Sequence, residues 1–209
     1  MIKVCLADNS PVVHFGVKSY FKEHIDIGIV ANVGNFAMVK DVLNTKDINV
    51  LVMDLELNGL SSVYDIKVLL KEYPKTKIII FSNLAEKMYA PNSIKIGVSG
   101  YIHKSEKLET LGIAIAKVNK GDTIMNDSLK KSIALISKQN KSERLYRKLS
   151  TREIEVLRYL SGGRKNNEIA EILKLNEKTI STYKLRLLQK LNVTNLVDLV
   201  NKAKTLEIV

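Results

Sequence analysis

The stretch "NVLVMDLELNG", residues 49–59, sets an apolar run directly against an acid. Leu51, Val52 and Met53 read as a strand buried on both faces, yet Asp54 follows at once and Glu56 stands two residues on. Strands often end on polar residues, so this acid has to be judged by its surroundings. Short apolar, β-branched segments recur at 2–7, 28–33, 49–54, 77–81 and 100–104. Helical patterns separate them at 11–24, 35–45, 61–73, 86–96 and 107–120. Five strands alternating with five helices predict an α/β fold, a five-stranded, doubly wound parallel sheet covered on both faces. Pro91 is expected to start or break the fourth helix, because its ring removes an N–H and clashes with the preceding turn.

In a sheet of this kind, ligands collect at the carboxyl ends of the strands. Asp8 ends the first strand, Asp54 the third, Ser82 the fourth and Lys104 the fifth. A carboxylate can accept a phosphoryl group as an acyl phosphate when a divalent cation and a Lys offset the charge. Asp8 and Asp54 supply oxygen ligands suited to Mg²⁺, Lys104 a charge partner and Ser82 a hydroxyl donor. His14, His24 and His103 lie in separate segments without metal-ligand spacing and predict ordinary packing or surface roles.

The rest of the chain narrows the class. Of 209 residues, 45% are hydrophobic and 26% charged, enough for real cores in a soluble protein. No apolar run approaches the roughly 18 residues that cross a bilayer. The opening "MIKVCLADNSP" carries an acid and a proline where a leader needs an unbroken apolar segment. The single Cys5 excludes an internal disulfide framework and sits in a strand-like run, so it reads as a buried thiol. A cytoplasmic protein with no membrane partner is expected.

The net charge of +11 is uneven. Residues 1–140 carry 18 basic against 14 acidic side chains, a balance of +4, whereas 141–209 carry 15 against 8, or +7. A basic end suggests a polyanionic partner. After a short helix and a polar linker (121–147), residues 148–209 read as a small all-α domain of four helices. Ser150 and Glu153 form a capping box, Leu149 and Ile154 a hydrophobic staple, and Gly162-Gly163 a stop. The second helix runs over 166–173, the third over 177–191 behind Asn176, and the fourth from about 194 to 206. The second and third read as a helix-turn-helix. Ile180, Leu187 and Leu191 share the core face of the third helix. Lys178, Ser181, Thr182 and Leu185 share another, flanked by Lys184 and Arg186. Short polar side chains and Leu185 suit base edges in the major groove of double-stranded DNA, and the cations suit phosphates.

The residues of the first domain, 1–120, resemble the receiver domains of two-component response regulators. "CLADNSPVV", "MDLELNG", "FSN" and "GYIHKS" match that family's motifs in order and spacing. The resemblance implies Asp54 as phosphoacceptor, Ser82 and Tyr101 as a switch pair, and Lys104 as the phosphoryl-contacting Lys. It also implies Mg²⁺ held by Asp8, Asp54, the Glu56 backbone and, weakly, the Asn9 side-chain oxygen. Two positions depart from the pattern. Asn9 stands where the family has a second acid, so Mg²⁺ is expected to bind weakly, and Asn58 replaces a proline. Residues 148–209 resemble the LuxR-type helix-turn-helix of the NarL/FixJ regulators, the last block being similar to the BvgA and EvgA branch. Leu185 departs from that block, where a basic residue is usual.

The sequence therefore predicts a non-enzymatic, DNA-binding transcription regulator controlled by phosphorylation of Asp54. A sensor histidine kinase partner and a homodimer are implied by the resemblance. The alternative is a receiver that acts without phosphate, as a dimerisation or partner-binding module on the same DNA-binding protein.

Overall fold

A computed structural model describes residues 1–124, 149–206 and 208. Most of the predicted linker, from residue 125 onward, lies outside the described residues. The chain divides into two compact units. Residues 1–120 contain β1 (Ile2–Ala7), α1 (Pro11–Phe21), β2 (Ile27–Val33), α2 (Phe36–Thr45), β3 (Val50–Met53), α3 (Val63–Glu72), β4 (Lys77–Ser82), α4 (Glu86–Lys95), β5 (Gly100–His103) and α5 (Leu108–Asn119). The strands are all parallel, in the order β2-β1-β3-β4-β5.

Every residue of β3 is buried, as its unbroken apolar run requires of a strand covered on both faces. Alternation divides the core. Val4, Leu6, Val50, Val52, Ile79, Phe81 and Ile102 pack with Val17 and Phe21 of α1 and Leu111, Ala114, Ile115 and Val118 of α5. Cys5, Ala7, Leu51, Met53, Ile78 and Ile80 are buried too and alternate to the opposite face. Right-handed crossovers put α2, α3 and α4 there. Burial pushes the Cys5 thiol up to about 12, with Lys46 pulling weakly the other way, so the thiol is inert.

Side chains set the helix starts. Asn35 accepts the Met38 N–H to open α2, and Ser62 with Asp65 forms a capping box on α3. Pro91 corrects the sequence reading, because α4 runs through it from Glu86 to Lys95. The ring forfeits one bond to the carbonyl four residues back, but Ala90 is fully buried beside it and the helix continues.

The second unit contains α6 (Thr151–Ser161), α7 (Asn166–Leu173), α8 (Glu177–Leu191) and α9 (Leu196–Thr205). The predicted capping box closes α6 at its start, and Gly163, at φ 77°, lets the chain leave it. Helix α8 packs against the other three. Ile154, Leu157, Ile169, Leu173, Ile180, Leu187, Leu191 and Leu199 are all buried. No helix among the described residues is long and apolar enough to cross a membrane.

Candidate phosphoacceptor site and nucleic-acid interface

Strand order reverses about β1 and β3, because β1 leads outward to β2 on one side and pairs β3 on the other. That reversal opens a crevice above their carboxyl ends. The Asp54 N–H donates to the Ala7 carbonyl at 2.9 Å, which brings Asp54 beside Asp8. Both carboxyl groups are buried, Asp8 at 1% and Asp54 at 5% exposure. Lys104, just past β5, reaches Asp8 Oδ2 at 2.6 Å and Asp54 Oδ2 at 2.5 Å. Burial alone would lower the Lys104 pKa, but the two carboxylates outweigh it and hold the ammonium above its ordinary value. The other Asp54 oxygen, Oδ1, accepts from the Ser82 hydroxyl at 2.6 Å and from the Glu56 N–H at 3.1 Å. Asp8 Oδ1 accepts the Ser10 N–H at 2.7 Å.

The fold thus brings together Asp8, Asp54, Ser82 and Lys104, four residues drawn from four strand ends. Tyr101 is buried on β5 and donates its hydroxyl to the Leu84 carbonyl at 2.7 Å, pinning the loop that follows Ser82. His103 adds a tie that the sequence did not reveal. Its Nε2 lies 3.0 Å from the Asn83 carbonyl and its Nδ1 2.6 Å from the Ser105 hydroxyl. With a proton on Nε2 the ring donates to the Asn83 carbonyl, and Nδ1 is left to accept from Ser105, whose N–H lies 3.1 Å away. The ring joins the loops after β4 and β5.

One expectation changes at Asn9. Asn9 reads from sequence as a weak oxygen ligand, yet its Oδ1 accepts the Asn58 N–H at 2.8 Å and its Nδ2 donates to the Glu56 carbonyl at 2.6 Å. Glu56 adds no third carboxylate to the buried pair. It is exposed, its carboxylate has no hydrogen bond or ion pair among the described residues, and it serves the site through its backbone.

In the second unit, Lys178, Thr182, Leu185 and Arg186 are exposed on one face of α8, with Leu185 at 61%. The Thr182 hydroxyl donates to the Lys178 carbonyl at 3.0 Å, leaving its oxygen lone pairs outward. Arg186 lies over the Tyr183 ring at 5.9 Å, beside a shallow groove lined by Asn176, Lys178, Thr179 and Thr182. Ser181 and Lys184 depart from expectation, being half-buried. Ser181 Oγ accepts from Asn166 Nδ2 at 3.2 Å, so it ties α8 to the start of α7. Residues 166 and 181 are linked only by the packing of the two helices, and no sequence signal pairs them. Tyr183 was also missed, although its place three residues before Arg186 puts the two on one helical face.

Comparison with known proteins supplies the family. Residues 4–116 match the response regulator receiver domain, and residues 147–203 match the LuxR family of bacterial regulatory proteins. A Pseudomonas aeruginosa protein described as a transcriptional regulator is 31% identical over the whole of both chains. BvgA of Bordetella pertussis, described as a positive transcription regulator of virulence factors, is 28% identical over 97% of this chain and 96% of its own. Among solved structures, RcsB of Salmonella enterica serovar Typhimurium, bound to the rprA promoter with the phosphomimetic BeF3−, superposes with a TM-score of 0.79. It is 25% identical, and the match covers 97% of this chain and 98% of RcsB. With a buried Asp–Lys–Ser cluster at the strand ends and a helix-turn-helix behind it, the chain belongs to the NarL/FixJ-type two-component response regulators, DNA-binding regulators of transcription.

Proposed function

We propose that Asp54 accepts a phosphoryl group from the phosphohistidine of a sensor kinase, and that this modification controls DNA binding by α8. The observation that carries the reading is the convergence of Lys104 and Ser82 on the two oxygens of one buried carboxylate. An Asp54 oxygen attacks phosphorus, the phosphorus–nitrogen bond breaks, and the imidazole leaves with its electron pair and takes up a proton. The product is an acyl phosphate on Asp54.

The chain's own groups suit that product. Lys104 balances charge on the transferred phosphoryl oxygens. The Ser82 hydroxyl, freed from Asp54 Oδ1, turns to donate to one of them. That rotation pulls on the Ser82–Leu84 loop, which Tyr101 and His103 hold from β5, and so alters the surface beside β4 and β5. The buried carboxylates of Asp8 and Asp54 fit a hard cation with oxygen preference. Bound there, Mg²⁺ supplies positive charge against the phosphoryl group.

Residues 1–120 form the receiver, 121–147 the connection and 148–209 the DNA-binding unit. On double-stranded DNA, Thr182 and Leu185 meet base edges, whereas Lys178, Lys184 and Arg186 meet phosphates. Ser181 stands behind this face, positioning the helix through Asn166. A homodimer, as in the structure of two RcsB dimers bound to two parallel DNAs, would present two such helices to a two-fold site.

Incubation of the full chain with acetyl phosphate and Mg²⁺, followed by intact-mass measurement, tests the chemistry. One phosphoryl adduct is expected, and none on Asp54→Asn. An unmodified but folded wild-type protein would sink the proposal and leave the phosphate-independent receiver.

A further inference from the structure

Asn9 does more than weaken a metal site. The Glu56 carbonyl and the Asn58 N–H, two residues apart on the loop after β3, face one side chain on the loop after β1. The two partners settle how the amide is oriented, because only Nδ2 can donate to a carbonyl and only Oδ1 can accept from an N–H. The network extends further. The Asn58 carbonyl accepts the Phe36 N–H at 2.8 Å at the start of α2, so the Asn58 main chain ties a third loop to the two that the carboxamide joins.

A carboxylate at position 9 could not make this arrangement. Its oxygens and the Glu56 carbonyl are all acceptors, and at 2.6 Å two such oxygens repel unless a cation lies between them. The amide carries its own hydrogen into that gap. It also changes the charge. Asp8, Asp54 and Lys104 sum to one negative charge, where a third carboxylate would leave two.

We propose that the Asn9 carboxamide takes the place of a bound divalent cation as the clamp between the β1 and β3 loops. The loop cage of this receiver is therefore closed without metal. A cation that takes the Glu56 carbonyl as a ligand must first displace Asn9, which its exposed position allows. The inference rests on reading the crevice as a cation and phosphoryl site, but the clamp exists without either ligand and is tested apart from phosphorylation.

Hydrogen exchange of the full chain, followed by mass spectrometry of peptides spanning residues 54–62, reads the clamp directly. In wild type with EDTA the segment should be protected, and Mg²⁺ alone should add no protection. Asn9→Asp with EDTA should exchange roughly three- to tenfold faster, the scale of one or two lost hydrogen bonds. Mg²⁺ should then restore its protection. Asn9→Ala should be fast with or without Mg²⁺, and unchanged β4 peptides show that each variant is folded. A wild-type loop that exchanges fast in EDTA and is slowed by Mg²⁺ would overturn the proposal. So would an Asn9→Asp loop as protected in EDTA as wild type. Loss of the phosphoryl adduct with these exchange patterns intact would sink the phosphorylation reading and leave the clamp standing.

Discussion

The receiver crevice and the outward face of α8 both gather charged and hydroxylic side chains, and they use them in opposite ways. In the crevice, two buried carboxylates share one ammonium at 2.5 and 2.6 Å, and their remaining oxygens accept from Ser82 and Ser10. On α8, Lys178, Thr182, Leu185 and Arg186 point into solvent with little to hold them. Burial makes electrostatic terms large and interdependent, whereas exposure makes them small, separable and sensitive to salt. The proposed function uses the first region as one to be changed by a single charge and the second as one to add many weak contacts over a long polyanion.

The hardest test of this contrast is to remove the shared cation. Lys104→Met leaves Asp8 and Asp54 buried side by side, and at pH 7 should lower receiver stability by about 3 kcal/mol in urea unfolding. The pH dependence has a defined sign. Because the folded pKa of Lys104 is raised, its contribution is complete below the ordinary 10.5 and fades as pH climbs through the higher folded value. On the alkaline side, the gap between wild type and Lys104→Met should therefore narrow only above pH 10.5. A variant within roughly 0.5 kcal/mol of wild type at pH 7 would mean that the crevice behaves like a surface.

Glu153 lies between the two extremes, a buried acid inside the basic unit. Its carboxylate accepts the Ser150 N–H at 2.6 Å and meets Lys190 at 2.7 Å, joining the start of α6 to the end of α8. Burial would raise its pKa, but Lys190 and the Ser150 cap outweigh that and lower it. Glu153→Ala should cost about 1–2 kcal/mol at neutral pH, the scale of a lost cap and one charged hydrogen bond. The wild-type advantage is present above the ordinary 4.5 and should be lost as pH falls through the lower folded value. Urea unfolding followed by circular dichroism at several pH values measures both.

The smallest effects belong to α8. Arg186→Ala should weaken binding equally on specific and random duplex and flatten the log–log salt slope by about 0.9. Leu185→Ala should leave that slope alone and cost about 1 kcal/mol on the preferred site only. Ser181→Ala should act through the loosened Asn166 contact, lowering thermal stability before it alters base preference. Binding isotherms at several salt concentrations, with a thermal melt of each variant, separate the three. Identical behaviour of Arg186→Ala and Leu185→Ala on both duplexes would mean that α8 is not seated as proposed.

These tests differ in how much of their basis the sequence carried. The strands, the helix caps at Ser150 and Asn176, the core positions of α8 and the four strand-end residues were all readable, because periodicity and capping are local physics. Pro91 misled, since a local penalty was overridden by burial in the surrounding fold. Asn9 was readable as a substitution but not as a clamp, because its partners lie 47 and 49 residues away.

The amino-acid order alone determined an alternating α/β unit, a basic helical unit and the set of polar residues at strand ends. Each follows from interactions within a few residues, where side-chain spacing decides what is buried. Only the tertiary structure decided which oxygen of Asp54 faces Lys104 and which faces Ser82. It also decided that Tyr101 and His103 hold the loop after β4, and that Ser181 turns inward to Asn166. Hydrogen bonds depend on direction and on tenths of an ångström, and between segments far apart in the chain those are set only when the cores on either side have packed.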